Sequence, residues 1–219
     1  MHAKRAISPV IMPSSARKGF YRNILKRGLD IVLVLLSAPV VVPLIAVLAL
    51  LVSLDGGRPF YSQMRVGRHG RPFRMWKLRT MVPDADRFLK TYLDQNSVAR
   101  LEWDATQKLK NDPRITRIGR VLRKTSLDEL PQLLNVLNGT MSLVGPRPMM
   151  LSQQGFYSGR AYYHLRPGIT GLWQISDRNE CDFVDRVSYD DLYHGVVSLG
   201  TDLRILMRTV AVVARGTGY

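Results

Sequence analysis

Residues 29–54 read Leu-Asp-Ile-Val-Leu-Val-Leu-Leu-Ser-Ala-Pro-Val-Val-Val-Pro-Leu-Ile-Ala-Val-Leu-Ala-Leu-Leu-Val-Ser-Leu, and after Asp30 no charge appears until Asp55. A helix over the uncharged residues would be roughly 36 Å long at 1.5 Å per residue, against a bilayer hydrocarbon core of about 30 Å. The stretch is long enough to span a membrane, but two features oppose a plain span. Pro39 and Pro43 stand one helical turn apart in its middle. Each lacks an N–H, so the carbonyls of Leu35 and Pro39 lose their helical donors. In lipid those carbonyls need another partner, such as the Ser37 hydroxyl or a neighbouring segment. Cations also stand on both flanks: Arg17, Lys18, Arg22, Lys26 and Arg27 before the run, and Arg58, Arg65, Arg68, Arg71, Arg74, Lys77 and Arg79 after it. Lys and Arg favour the cytoplasmic side, and here both flanks claim it. A helix that enters, breaks at Pro39 and Pro43 and returns satisfies both observations. The rival is a proline-kinked span with the larger domain kept inside, and the residues alone leave both open. A signal peptide is disfavoured by the length of the run and by the lack of a clear small-residue cleavage site after it.

The 219 residues carry a formal charge of +15. That length fits one domain plus a membrane segment, and that charge suits nucleic acid, an anionic membrane face or phosphorylated substrates. No recognised nucleic-acid motif is present and the cations cluster beside an apolar run, which favours the last two partners. Anionic lipid is worth about 1 kcal/mol per nearby Lys or Arg, so the flanks would anchor the chain to the membrane. The single cysteine, Cys181, cannot form an internal disulfide, which suits a reducing compartment. His2, His69, His164 and His194 are scattered, and no Cys/His cluster has zinc-ligand spacing.

Working outward, residues 1–25 read as a basic flexible tail, with Pro9, Pro13, Ser14 and Ser15 among charges. Residues 26–57 hold the membrane segment, ended by Gly56-Gly57-Arg58-Pro59. Pro59 to Met81 predicts short extended pieces around a turn at Gly67 to Gly70. Asp84 to about Lys110 predicts one helix with Phe88, Leu89, Tyr92 and Leu93 on its apolar face. A second helical region runs from Ile115 to Leu137, with Asn138-Gly139 as its stop. Leu143 to Pro148 is a rigid Gly/Pro segment, and Arg166 to Ile175 a short strand or loop. Leu192, Val196, Leu199, Leu203, Leu206, Val210 and Val213 follow helical spacing along one apolar face. That face fits a core-packing helix or one lying in a membrane interface.

Two adjacent acids, Asp128 and Glu129, stand in a chain dominated by cations. Ser126-x-x-Glu129 has the form of a capping box, and acids favour a first helical turn. The same position also attracts phosphate, and a carboxylate there has the chemistry of a covalent nucleophile toward phosphorus. Attack on electron-rich phosphate needs cationic neutralisation, from arginine or from Mg²⁺. Lys77, Arg79, Arg123 and Arg147 are the candidates, Arg147 being held between Pro146 and Pro148. The competing view makes each a solvated surface cation. Capping and catalysis both remain open on spacing alone, as does a non-catalytic, membrane-anchored adaptor.

Four segments occur in order: Lys77-Leu78-Arg79-Thr80-Met81, Ser126-Leu127-Asp128-Glu129-Leu130-Pro131-Gln132, Val144-Gly145-Pro146-Arg147-Pro148 and Arg166-Pro167-Gly168-Ile169-Thr170-Gly171. Together they resemble the bacterial sugar transferase family, the small monotopic phosphoglycosyl transferases, from about Lys26 to the C-terminal helix. Gln107 to Thr116 further resembles the exopolysaccharide-initiating branch. The resemblance implies a mainly α fold with little β: a monotopic membrane protein with a Pro-broken re-entrant helix and a cytoplasmic catalytic domain, 58–219, on membrane-surface helices. It implies transfer of a hexose 1-phosphate, galactose or glucose, from a UDP-sugar to undecaprenyl phosphate at the cytoplasmic face of the bacterial inner membrane, with release of UMP. Asp128 is then the nucleophile, Glu129 its partner, and both carboxylates hold Mg²⁺. Lys77, Arg123 and Arg147 fall on substrate- or phosphate-binding positions. A homo-oligomer is compatible with the sequence. The chain departs from the family pattern at Val42, where a serine often precedes the proline, at Leu78, where Phe is common, and at Asp177, where Gly commonly precedes Arg-Asn. Ser37 beside Pro39 is the residue placed to replace the missing serine's bond to a freed carbonyl.

Overall fold

The structure, a computed structural model, describes residues 19–106, 109–176 and 183–214. Of the segments singled out above, most of the N-terminal tail, Gln107, Lys108, Asp177 and Cys181 lie outside the described residues. The chain is mainly helical, and its long apolar element comes first. A π-helical turn, Tyr21–Leu25, runs directly into α1, Lys26–Ser53, with both prolines inside the helix. Helix therefore starts within the stretch expected to be tail, because Tyr21 is buried and anchored by a hydrogen bond to Asp202. Ser37 does not relieve Leu35: its hydroxyl donates to the carbonyl of Val34, at 2.9 Å.

The two ends of α1 are tied to the rest of the molecule and its middle is bare. At the start, Asp30 accepts from the Ser142 hydroxyl and the Leu143 N–H, at 2.7 and 3.1 Å. Arg27 donates to the last carbonyls of a short helix at Val136 and Leu137. Val34 then joins a buried cluster with Phe73, Met75, Val136 and Met141. At the far end Val52 joins a different cluster, with Leu78 and Leu122. No residue between Val34 and Val52 is buried, and Leu35, Leu36, Val40, Val42, Val47 and Leu50 are exposed.

After α1 an antiparallel hairpin pairs β1, Phe60–Val66, with β2, Pro72–Leu78, in the register Phe60 to Leu78 and Val66 to Pro72. Gly70 makes its turn with a positive φ of 74°. Strand alternation puts Phe73, Met75 and Lys77 on the same face of β2. Lys77 therefore points inward, where the first two residues are buried.

The helix expected over 84–110 is two, α2, Ala85–Gln95, and α3, Ser97–Thr106, because Asn96 turns extended between them. The region 115–137 also divides. It forms α4, Arg117–Thr125, then a single 3-10 turn, Leu127–Glu129, then α5, Gln132–Leu137. The break is Ser126, which adopts a left-handed φ of 57° and donates its N–H back to the carbonyl of Arg123 at 3.1 Å. A serine there is unfavourable without local support.

The two Gly/Pro segments meet as a short parallel pair, β3, Ser142–Val144, with β4, Gly168–Thr170. Gly168 lets their backbones touch, since a Cβ there would overlap the backbone of Gly145. A short α6, Ala161–His164, precedes β4 and a short α7, Leu172–Ile175, follows it. The last helical stretch breaks at Val197 into α8, Arg186–Val196, and α9, Leu199–Ala214. The apolar stripe read over it is divided: Val196 is buried and Leu206 packs against the core, while the rest of its α9 members are exposed. Asp202 and Ile205 are the buried positions of α9, while Leu199, Leu203, Met207, Val210 and Val213 are exposed.

Candidate active site

Three elements bring the acids and their cations together. The left-handed Ser126 ends α4 and throws the next residues into one tight turn, which buries Asp128. Inward-facing Lys77 on β2 reaches both acids, donating to Asp128 Oδ2 at 3.2 Å and to Glu129 Oε1 at 2.8 Å. The Gly/Pro segment carries Arg147, whose Nη2 stands 4.0 Å from Glu129 Oε1.

The mutual placement of β2 and the acid turn is fixed by Asn135 on α5. Its side chain accepts from the Trp76 N–H at 3.0 Å and donates to the Arg74 carbonyl at 2.7 Å, acting as one more strand partner for β2. Sequence reading did not single out Asn135; an asparagine three residues after Pro131-Gln132 has no local signal for such a role. Gly119 makes a comparable contribution on the other side. A Cβ there would overlap the backbone of Thr80, so α4 lies against the end of β2 and Arg123 Nε donates to Thr80 Oγ1 at 2.9 Å.

No capping box forms. Ser126 makes no side-chain cap bond, and its left-handed backbone serves as the end of α4 rather than the start of the next helix. With that explanation gone, burial of Asp128 is a cost that needs another reason. Burial pushes its carboxyl above the ordinary carboxylate value; Lys77 opposes that shift, Glu129 adds to it, and Arg123 also opposes it. Arg123 itself is pushed below its ordinary value by burial, with Asp128 the largest opposing influence.

Of the sequence candidates, Lys77, Arg123 and Arg147 gather around the acid pair. Arg79 does not. Its guanidinium holds the end of α1, pairing with both carboxylate oxygens of Asp55 and donating to the carbonyls of Val52, Arg58 and Met81. Two arginines that sequence reading missed as site residues stand beside the Pro-Arg-Pro segment instead. Arg65 donates to the Pro148 carbonyl at 3.3 Å, and buried Arg186 donates to the Arg147 carbonyl. Arg147 and Arg186 both lie over the ring of Trp173, at 5.8 and 5.2 Å. A cleft opens beside the acids, lined by Arg65, Lys77, Glu129, Gln132, Arg147 and Ile169, among others. Among the described residues no group of three or more His, Cys, Asp and Glu side chains is placed to hold a metal. Two adjacent carboxylates are nevertheless a fitting donor set for Mg²⁺, which takes one or two carboxylates and completes its shell with substrate phosphates and water.

A mainly helical domain follows one helix long and apolar enough to cross a membrane, and it sets an acid pair, buried Asp128 and half-buried Glu129, beside a cationic cleft. The match to the bacterial sugar transferase family covers residues 21–216, and the chain belongs to that family. It is 48% identical over 196 residues to the UDP-galactose-lipid carrier transferase of Erwinia amylovora, and 47% identical over 196 residues to the undecaprenyl-phosphate galactose phosphotransferase of Salmonella typhimurium. Each alignment takes in 89% of this chain but 41% of the relative, so the chain spans about two fifths of their length. Similarity to the exopolysaccharide production protein ExoY of Rhizobium meliloti is 42% over 221 residues and covers 98% of this chain and 97% of that protein.

Proposed function

We propose that the protein transfers a hexose 1-phosphate, galactose being favoured by the names of two relatives, from a UDP-sugar to undecaprenyl phosphate. In the first step an Asp128 carboxylate oxygen bonds to the sugar-bearing phosphorus. The bond from that phosphorus to the nucleotide phosphate breaks, and its electron pair leaves on UMP. In the second step an oxygen of undecaprenyl phosphate attacks the same phosphorus and the electron pair of the aspartyl bond returns to the carboxylate. The product is undecaprenyl diphosphate hexose. The observation that carries this reading is the acid pair shared by one inward-facing lysine beside a cleft with two further cations.

Lys77 has two roles in this scheme. Its charge opposes the upward shift that burial imposes on Asp128 and so favours the ionised form a nucleophile requires, and its position lets it oppose charge that builds on the phosphoryl oxygens. Glu129 keeps Lys77 oriented. Asp128 and Glu129 would hold Mg²⁺, which when bound neutralises the diphosphate and assists departure of UMP.

We further place α1 in the cytoplasmic leaflet of a bacterial inner membrane as a re-entrant hairpin. The two docked ends support this. A straight helix would separate Val34 from Val52 by about 27 Å. Yet they join clusters containing Met75 and Leu78, which are about 10 Å apart along one strand. The exposed apolar stripe of α9 supports a helix resting on the same surface.

The activity is tested by mixing purified protein with UDP-hexoses and undecaprenyl phosphate. UMP should appear in catalytic amounts only when both substrates are present, fastest with UDP-galactose. No UMP with any UDP-hexose would overturn the reading in favour of a non-catalytic membrane adaptor. For topology, Phe20→Cys and Phe60→Cys in a Cys181→Ser background should both resist an impermeant thiol reagent in intact cells. Labelling of one site alone would make α1 a span.

A further inference from the structure

We propose that Arg65 completes a phosphate cradle with Lys77 and Arg147, and that this cradle holds first the departing nucleotide phosphate and then the entering lipid phosphate. The inference rests on the two-step reaction proposed above and assigns the residue that both phosphates meet.

Arg65 stands next to the end of β1, on the wall of the cleft that also exposes Lys77, Glu129 and Arg147. It makes two hydrogen bonds, to the Gln63 side chain at 2.6 Å and to the Pro148 carbonyl at 3.3 Å, and its Nε is buried without a partner. Among the described residues no carboxylate pairs with it. An arginine removed from water without a counter-charge is costly. Burial, with Arg147 and Arg186 nearby, pushes its pKa down to about 10, so it remains a cation at neutral pH. A structural clamp on one carbonyl does not require that charge. A phosphate does, and the guanidinium fork matches phosphate geometry.

The local charge balance points the same way. The cleft presents three cations, Arg65, Lys77 and Arg147, and one acid, Glu129. Lys77 is shared between Asp128 and Glu129, and Arg147 stands 4.0 Å from Glu129. Arg65 is the cation left to an incoming anion. Arg186, by contrast, is buried and bonded to the Arg147 backbone, which makes it a positioning residue for Arg147.

The sharing follows from stereochemistry. Each displacement at phosphorus is in line, with the entering and leaving oxygens opposite each other. UMP leaves from the side opposite Asp128, and the lipid phosphate must then enter from that same side to expel Asp128. Both are phosphate monoesters, so one set of cations serves each in turn.

The test uses the full chain in lipid nanodiscs, with Arg65→Gln and Arg65→Lys. Three quantities are read: the KM for undecaprenyl phosphate, the inhibition constant of UMP, and the melting temperature. A charged hydrogen bond lost to phosphate should raise both constants at least about tenfold in Arg65→Gln, with a smaller change in kcat. Arg65→Lys should recover part of both. If Arg65→Gln does not fold, Arg65→Lys alone should raise both constants by several-fold, since it keeps the charge but loses the fork. A folded variant in which either constant is unchanged overturns the shared cradle. Failure of the wild-type protein to release UMP would instead sink the proposed reaction itself.

Discussion

Two buried lysine–aspartate pairs in this molecule look alike as contacts and differ in everything around them. Lys26 meets Asp202 at 2.6 Å, and Lys77 meets Asp128 at 3.2 Å. Asp202, with its side chain 1% exposed, is saturated: Tyr21 and Lys26 donate to one oxygen and Tyr193 to the other. Those donors come from the entry to α1 and from α8, so the carboxylate knots three helices together. Asp128, with its side chain 10% exposed, has one lysine that it shares with Glu129, beside an open cleft. A buried acid whose acceptor sites are filled is a structural element. One left short of donors beside a cleft keeps an oxygen available for chemistry, which is the role proposed for Asp128.

The strongest way to break this contrast is Asp128→Asn. Turnover should fall by at least about 10³-fold, the loss expected when an attacking group is removed. The fold should survive, and the linkage gives the sign. Asp128 has a folded pKa above its unfolded one, so its stabilising contribution is full below the unfolded pKa and is lost as pH rises through the folded value. Once ionised the buried group is a burden, and on the alkaline side of that transition the melting temperature of Asp128→Asn should equal or exceed that of the wild type. A large drop in melting temperature would make Asp128 a structural acid like Asp202.

Asp202→Ala should do the reverse. It strands Lys26 without its partner, at a cost of about 3–5 kcal/mol measured by denaturant unfolding. The fraction that remains folded should keep its specific activity. An intact melting temperature would show that the knot contributes little.

A third variant sharpens the role of the shared lysine. Removing Lys77 takes away the largest influence opposing the upward shift of Asp128. In Lys77→Met the acid limb of kcat/KM should therefore move to higher pH, and the loss of activity should be greater on the acid side of the profile than on its alkaline side. A uniform loss at all pH values would confine Lys77 to substrate binding.

The smallest expected effect concerns a third buried acid. Asp190 accepts from Tyr157 Oη at 2.8 Å, and burial pushes its pKa up to about 6 from 3.8. Its contribution to stability is present below about pH 4 and is lost as pH rises through about 6. Asp190→Asn should therefore flatten the pH dependence of unfolding, recovering about 1–3 kcal/mol above pH 7. An unchanged stability curve between pH 4 and 8 would show that Asp190 does not titrate in that range.

The parts of this arrangement that were readable from sequence are those written locally. The apolar run of α1 is a continuous property of its residues, and the extended pieces on either side of Gly67 to Gly70 follow from the turn residues between them. The breaks at Asn96, Ser126 and Val197 were not readable, because a single residue in an unusual backbone conformation leaves no periodic trace. Spacing alone left a capping box at Ser126 open; the left-handed Ser126 backbone and the packing of α4 against Thr80 exclude it. The arginines were the hardest to assign. In a chain with 32 Lys and Arg residues, composition cannot separate Arg79, consumed by Asp55 at the end of α1, from Arg65, half-buried in the wall of the cleft. The distinction is made by contacts between residues far apart in the chain. The stripe over α8 and α9 was left open between core and membrane interface, and the structure divides it, because apolar spacing marks a face without saying whether protein or lipid covers it.

The most direct test withholds the acceptor. The protein is incubated with UDP-galactose alone, released UMP is counted, and the intact protein is weighed by mass spectrometry beside Asp128→Asn. The account predicts at most one UMP per active site, apart from slow hydrolysis, and a mass gain of one hexose phosphate that maps to Asp128 and is absent from the variant. No UMP and no mass gain until undecaprenyl phosphate is added, or full turnover by an Asp128→Asn protein verified free of deamidation, would contradict it.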